Sequence, residues 1–91
     1  IDMRAVITVI GKDTTGIIAR VSEVLWKHGI NILDINQSVM DDLFAMVMLT
    51  DISKCSVGFT ELVSTLNALG ESLNLKIHTM HEDIFNSMHR I

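Results

Sequence analysis

The sequence lacks tyrosine and proline, and it contains one cysteine and four aromatic residues among its 91. Because base stacking needs aromatic side chains, their scarcity argues against a nucleic-acid partner. The single Cys55 excludes an internal disulfide and fits a reducing compartment. No apolar run reaches the ~20 residues needed to span a bilayer, and no basic segment precedes an apolar one as in a signal peptide. These absences predict a cytoplasmic protein.

The net charge and the apolar content bear on which partners the chain can have. The net charge is −4, the pI is near 5.4, and the seven basic residues are dispersed, which argues against a phosphate-backbone partner. Nearly half of the residues (48%) are apolar, whereas a single domain of this size buries only roughly 60–65% of the surface of its unfolded chain. The surplus apolar surface predicts self-association, with a homodimer as the simplest form.

A short turn, residues 11–16, is the feature around which the chain is organised. An apolar strand precedes it, and apolar residues at helical spacing follow it from Ile17 onward. Glycines at both ends let a ligand approach the backbone closely. The free N–H groups at the start of the helix can receive an anion such as a carboxylate, and Asp13, Thr14 or Thr15 is available as the N-cap. The turn therefore predicts a binding site that needs no catalytic side chain.

The remaining pattern predicts an α+β domain of the ferredoxin-like βαββαβ class. The predicted elements are a strand at 4–10, a helix ending at 28–29, strands at 31–39 and 43–50, a helix from 57, and a strand at 75–81. This order predicts a four-stranded antiparallel sheet in the order 2-3-1-4 with both helices on one face. Residues 3–83 form the domain, and residues 84–91 form a short helical tail that Asp83 can cap.

The third strand is apolar on both faces, so one apolar set must lie away from the helices. We predict that Phe44, Met46 and Met48 face outward and form a dimer interface, covered by a second subunit and by Phe85 and Met88 of the tail. The alternative is that the methionines fill the core beneath the helices. In that case the outward set is Ala45, Val47 and Leu49.

Several segments together resemble the ACT domain family, the small ligand-binding regulatory domain of amino-acid metabolism. They are GKDTTGI at 11–17, GINI at 29–32, the Asp41-Asp42 hairpin and the ending HEDIFNSMHRI at 81–91. The ending is similar to that of stand-alone bacterial and archaeal members of unassigned function. A looser resemblance extends to the repressor of the glycine cleavage system and to the N-terminal domain of formyltetrahydrofolate deformylase.

The resemblance implies a dimer that binds an amino acid near the first turn, at a subunit interface. Asn31 would hydrogen-bond the ligand, and Asp13 would pair with an ammonium. Thr15 stands where many members have proline, which implies a less rigid turn, and Gly11 stands where an imidazole can occur, which implies weaker binding of hydroxy amino acids. The implied ligand-binding set is Gly11, Asp13, Thr14, Thr15, Gly16, Ile17, Asn31 and Ile32.

Other chemistry has little support. A metal site would need His81, Asp83 and His89 to converge; we expect no metal, because Asp83 can instead cap the tail and the histidines can form ion pairs. Cys55 has no histidine beside it, and no serine has a partnered base. We therefore expect no enzyme, no catalytic residue and no cofactor. The expected function is amino-acid sensing, relayed by a partner protein or by dimer rearrangement. The alternatives are a ligand-free interaction subunit using the apolar sheet face and tail, and, as the weakest, a metal enzyme.

Overall fold

The computed structural model describes residues 3–12 and 16–82. Its sheet has the order β2-β3-β1-β4 with every neighbouring pair antiparallel, so the predicted ferredoxin-like topology is confirmed. The predicted tail at 84–91, with Phe85 and Met88, lies outside the described residues. The elements are β1 Arg4–Lys12, α1 Ile17–Lys27, β2 Asn31–Met40, β3 Leu43–Asp51, α2 Phe59–Leu73 and β4 Lys76–His81.

Both ends of α1 are set by glycines. Gly16 is the N-cap, with φ 88° in the left-handed region, and its carbonyl accepts the Arg20 N–H at 2.9 Å. The expectation that Asp13, Thr14 or Thr15 occupies the N-cap position is therefore wrong. At the other end Gly29 has φ 75°, a conformation that closes helices and that glycine adopts without steric cost. The predicted stop at positions 28–29 is confirmed.

The prediction that the Phe/Met set faces outward is wrong. Phe44 is 6% exposed, and Met46 and Met48 are 0% exposed. All three belong to one core cluster with the apolar sides of both helices, including Val21 of α1 and Leu62 of α2. They cannot offer a surface to a second subunit. The unbranched thioether side chains instead fill the irregular space between sheet and helices.

The face of the sheet away from the helices carries the alternate residues of each strand. On β3 this set is Ala45, Val47 and Leu49, the alternative outward set, and Val47 is 38% exposed. Val6 of β1 lies opposite Leu49 and therefore shares this face. We call it the open face.

No described helix is long and apolar enough to cross a membrane.

The two edges of the sheet differ. β2 pairs with β3 regularly from Asp34 to Met40, but the register shifts between Ile32 and Asp34, which leaves Leu33 as an extra residue in a bulge. All ten residues of β2 except Ile32 are exposed. β4 forms the other edge with only six residues, and α2 packs against it.

Candidate functional site

The predicted site begins where β1 ends. Gly11 has no side chain because Leu75 occupies that space: a Cβ atom at Gly11 would collide with the Cδ2 atom of Leu75. Ile17 is 4% exposed, and its side chain belongs to the core. Gly11 and Ile17 thus present backbone rather than side chain to a ligand. Asp13, Thr14 and Thr15, the polar members of the predicted turn, lie outside the described residues.

The start of α1 is open on its N-terminal side. Arg20 donates the first intrahelical hydrogen bond, so the N–H groups of Ile17, Ile18 and Ala19 precede the hydrogen-bonded ladder. No side chain among residues 3–12 and 16–82 caps this end, and the first turn contains no acidic residue. A Cβ atom placed on Gly16 meets nothing within 4 Å. Within the part of the chain that the structure describes, the positive end of the helix dipole therefore has no side-chain partner, and a carboxylate is favoured there.

Asn31 and Ile32 lie at the opposite end of the sheet. Asn31 is paired with Asp51, which is paired with Arg4 at the start of β1. Gly11 is seven residues further along the same strand. At about 3.3 Å per residue, this separation is about 23 Å. A single protomer therefore does not bring the two halves of the predicted ligand-binding set together.

The Asn31 end is acidic. Asp51 is its direct cross-strand neighbour, so the two side chains share the open face. Oδ1 of Asp51 accepts the Ser53 N–H at 2.9 Å and the Ser53 hydroxyl at 2.6 Å. These two bonds, helped by Lys54 and Arg4, hold the pKa of the Asp51 carboxyl below its ordinary value. The sequence pattern did not indicate Asp51 as a site residue. Its position opposite Asn31 becomes evident only from the strand register.

A groove of about 530 Å³ lies beside Gly11, between the end of β1, the start of β3 and the turn from α2 to β4. Its charged residues are Lys12, Lys76 and Glu71, and its apolar residues include Leu43. Sequence reasoning did not predict this groove, because the turn after α2 contributes to it from a distant part of the chain.

The histidine-rich ending is described only in part. The ring of His81 stacks on Phe59 with the centroids 4.0 Å apart and the planes 18° from parallel. Next to it, Oε1 of Glu82 accepts a hydrogen bond from Nε of Arg4 at 3.1 Å and forms an ion pair with Nη2 of the same side chain, also at 3.1 Å. Among residues 3–12 and 16–82, no three histidine, cysteine or acidic side chains are placed to share a metal ion. Asp83 and His89, the other members of the considered cluster, lie outside the described residues.

Comparison with known proteins gives consistent matches along almost the whole chain. A family model described as ACT domain matches residues 4–80. A UPF0237 protein of Methanocaldococcus jannaschii is 52% identical over 88 residues, which are 97% of this chain and 98% of that protein. A UPF0237 protein of Listeria innocua is 49% identical over 89 residues, covering 98% of this chain and 100% of the relative.

Solved structures agree with the sequence matches. An ACT domain protein from Streptococcus pneumoniae superposes with a TM-score of 0.81 at 42% identity, covering 91% of this chain and 93% of that chain. A formyltetrahydrofolate deformylase from Pseudomonas syringae superposes with a TM-score of 0.79 at 17% identity, covering 87% of this chain and 28% of the enzyme. The second likeness shows the shared fold alone.

Proposed function

Because this chain belongs to the ACT domain family, we propose that it is a regulatory module that binds a small amino acid. The observation that carries the proposal is the start of α1 at Gly16, where no described side chain caps the first N–H groups of the helix. Such a corner stabilises a carboxylate through hydrogen bonds and the helix dipole. The module acts without catalysis, through a partner protein or a change in its own assembly.

The second half of the site comes from another copy of the chain. Asn31 lies about 23 Å from Gly11 in one protomer, which is much longer than an amino acid. A homodimer that places Asn31 of one copy near α1 of the other supplies both halves. The carboxylate then binds the N–H groups of α1, while the Asn31 amide and the Asp51 carboxylate favour the ammonium.

The open face supports a second candidate, a ligand-free interaction subunit. Ile10 and Val47 lie on it, and each is 38% exposed, so this face presents apolar side chains that a partner protein could cover. This candidate predicts no response to small ligands. Val47→Glu would then abolish association with a protein partner, whereas the amino-acid-binding proposal predicts that the variant keeps its ligand response.

A thermal-shift screen tests the proposal. The protein is heated with each of the common amino acids, and with acetate as a carboxylate that has no ammonium, at millimolar concentration. A ligand at 100 times its Kd adds about 2.7 kcal/mol to the unfolding free energy, which is several degrees in Tm. We expect at least one amino acid to raise Tm more than acetate does. If none raises Tm, the proposal fails.

A matched pair of variants then locates the site. Asn31→Ala should remove the ligand-induced shift in Tm, because the amide that orients the ligand is lost. Asn67→Ala makes the same substitution at an exposed position of α2 and should keep the shift. Equal responses in the two variants would remove Asn31 from the site.

A further inference from the structure

We propose that the tail, residues 84–91, folds back across one end of the open face of its own chain and covers Val6, Leu49 and Met80. We call these three residues the covered patch. The proposal goes beyond the amino-acid site and does not depend on it. A protein that docks on this part of the open face must first displace the tail, so the contact is an intramolecular competitor of such a partner. Three observations support it: the uneven burial of the open face, the course of the chain after β4, and the pattern of the tail.

The open face is buried unevenly. Val6 and Val47 are the same residue type on the same face, and they belong to β1 and β3, the two interior strands of the sheet. Val6 is nevertheless 4% exposed, whereas Val47 is 38% exposed. Towards the other end of this face, Ile10 is 38% and Leu43 is 40% exposed. The burial is therefore confined to the end of the open face where β1 begins, at Arg4.

The core beneath the helices does not account for the burial of Val6. Among the described residues, Val6 is the one buried apolar residue that does not belong to the core cluster. Its cross-strand neighbours on the open face are Leu49 of β3 and Met80 of β4, and both are only partly exposed. Neither of them packs against the core cluster. The covered patch is thus a second apolar cluster, on the side of the sheet away from the helices, and it is screened from solvent within one copy of the chain.

The chain leaves β4 beside the covered patch. β4 ends at His81, and the ring of His81 stacks on Phe59 of α2, so this side chain lies on the helix side of the sheet. The next residue, Glu82, forms its ion pair with Arg4, which shares the open face with Val6 because side chains two residues apart point to the same side of a strand. An exposed ion pair contributes little free energy, but this one shows the direction of the chain. The residues that follow Glu82 start on the open face, next to Val6.

The sequence of the tail fits this surface in pattern and in length. Its apolar residues recur at the spacing i, i+1, i+4 and i+7, which predicts one apolar side of a helix; they are Ile84, Phe85, Met88 and Ile91. Eight helical residues span about 12 Å, and the covered patch extends over two strand spacings, about 10 Å. A helix about 10 Å wide over Val6 leaves Ile10, about 13 Å further along β1, uncovered. This agrees with the exposure of Ile10.

Alkylation of a single thiol tests the cover. Cys55→Ala removes the native thiol, and either Val6→Cys or Val47→Cys adds one to the open face. Each rate is divided by the rate of the same chain unfolded in urea. We expect alkylation about tenfold slower at position 6 than at position 47, in line with the exposed fractions of 4% and 38%. Deletion of residues 84–91 should bring the rate at position 6 to within about twofold of that at position 47, which itself should not change.

Two full-length variants keep the test decisive if the shortened chain folds poorly. Phe85→Asp places a carboxylate on the apolar side of the tail, where burial without a partner is unfavourable, and should raise the rate at position 6 several-fold. Asn86→Asp adds the same charge on the opposite side of the predicted helix and should keep position 6 protected. If alkylation at position 6 stays equally slow in the unchanged, shortened and Phe85→Asp chains, neighbouring side chains alone bury Val6 and the proposal is overturned.

Dilution distinguishes a cover from the same chain from one supplied by a second copy. An intramolecular contact gives the same protection of position 6 at every protein concentration, whereas a tail exchanged between two copies loses its protection on dilution. Constant protection supports the proposal, and protection that is lost on dilution overturns it. Because no amino acid is added in these measurements, a failed ligand screen would reject the proposed function without changing their outcome.

Discussion

Met46→Ala should strongly destabilise the protein, whereas Met40→Ala should not. Met46 is 0% exposed, and Met40 on the neighbouring strand is 62% exposed. Truncation of a fully buried methionine costs about 2–5 kcal/mol, because transfer free energy is lost and a cavity is left. We expect about 3 kcal/mol for Met46→Ala, which is a large share of the roughly 5–13 kcal/mol that a domain of this length has in total.

Urea unfolding measures this difference. With m of about 1–3 kcal/mol/M, a loss of 3 kcal/mol lowers the midpoint by about 1–3 M. Met40→Ala should change the unfolding free energy by less than about 0.5 kcal/mol. Any effect at Met40 that arises from association of two copies should disappear on dilution, because association contributes to stability by mass action. The loss at Met46 should persist at every protein concentration.

The two orientations of the Phe/Met set predict opposite results in this assay. An outward Met46 would leave the unfolding of the protomer unchanged and would weaken association instead. Equal midpoints for Met46→Ala and Met40→Ala, or a loss at Met46 that vanishes on dilution, would therefore refute the placement of Met46 in the core.

Two further results are expected. Gly29→Ala should lower Tm much more than Gly58→Ala does. It forces alanine into a left-handed backbone conformation and places its Cβ atom 2.7 Å from the Lys54 carbonyl oxygen, whereas a Cβ atom at Gly58 meets nothing within 4 Å. Similar melting curves for the two variants would contradict this. Ser53→Ala should raise the pKa of Asp51, measured by NMR titration of its carboxyl carbon, because it removes the hydroxyl bond that lowers this pKa most, while the backbone N–H bond remains. Because the pKa of Asp51 is lower in the folded than in the unfolded state, its ionised form stabilises the fold above the ordinary carboxyl pKa, and this stabilisation is lost as the pH falls through the folded pKa. In Ser53→Ala, the free energy of unfolding should therefore fall less steeply with decreasing pH in the acid range.

The topology is predictable from the sequence because each local signal has one physical meaning. Helical spacing and strand alternation differ in period, and Gly29 follows the last apolar residue of α1, where only a left-handed residue closes the helix without strain. The orientation of β3 is not predictable in this way. Both of its faces are apolar, so alternation shows that Met46 and Val47 lie on opposite sides but not which side receives the helices.

The candidate site is predictable only as two separate halves. The turn at 11–16 predicts an anion-binding helix start, and this prediction depends on local chemistry alone. The distance between Gly11 and Asn31 depends on the strand register, which single-strand patterns do not reveal. The bulge at Leu33 puts Ile32 and Ile35 on the same face. In the sequence it shows only as two adjacent apolar residues, Ile32 and Leu33, and this interruption of the alternation does not by itself identify a bulge. Asp51 gains its place beside Asn31 from the same register.

The separation of the two halves bears on how the proposed binding module could report ligand concentration. A ligand bound between two copies stabilises the dimer by the same free energy that dimerisation adds to ligand affinity. Under the proposed function the ligand would distinguish the two assembly states, because half of its contacts would exist only in the dimer, and that differential affinity is what shifts an equilibrium. No hinge inside the protomer is required.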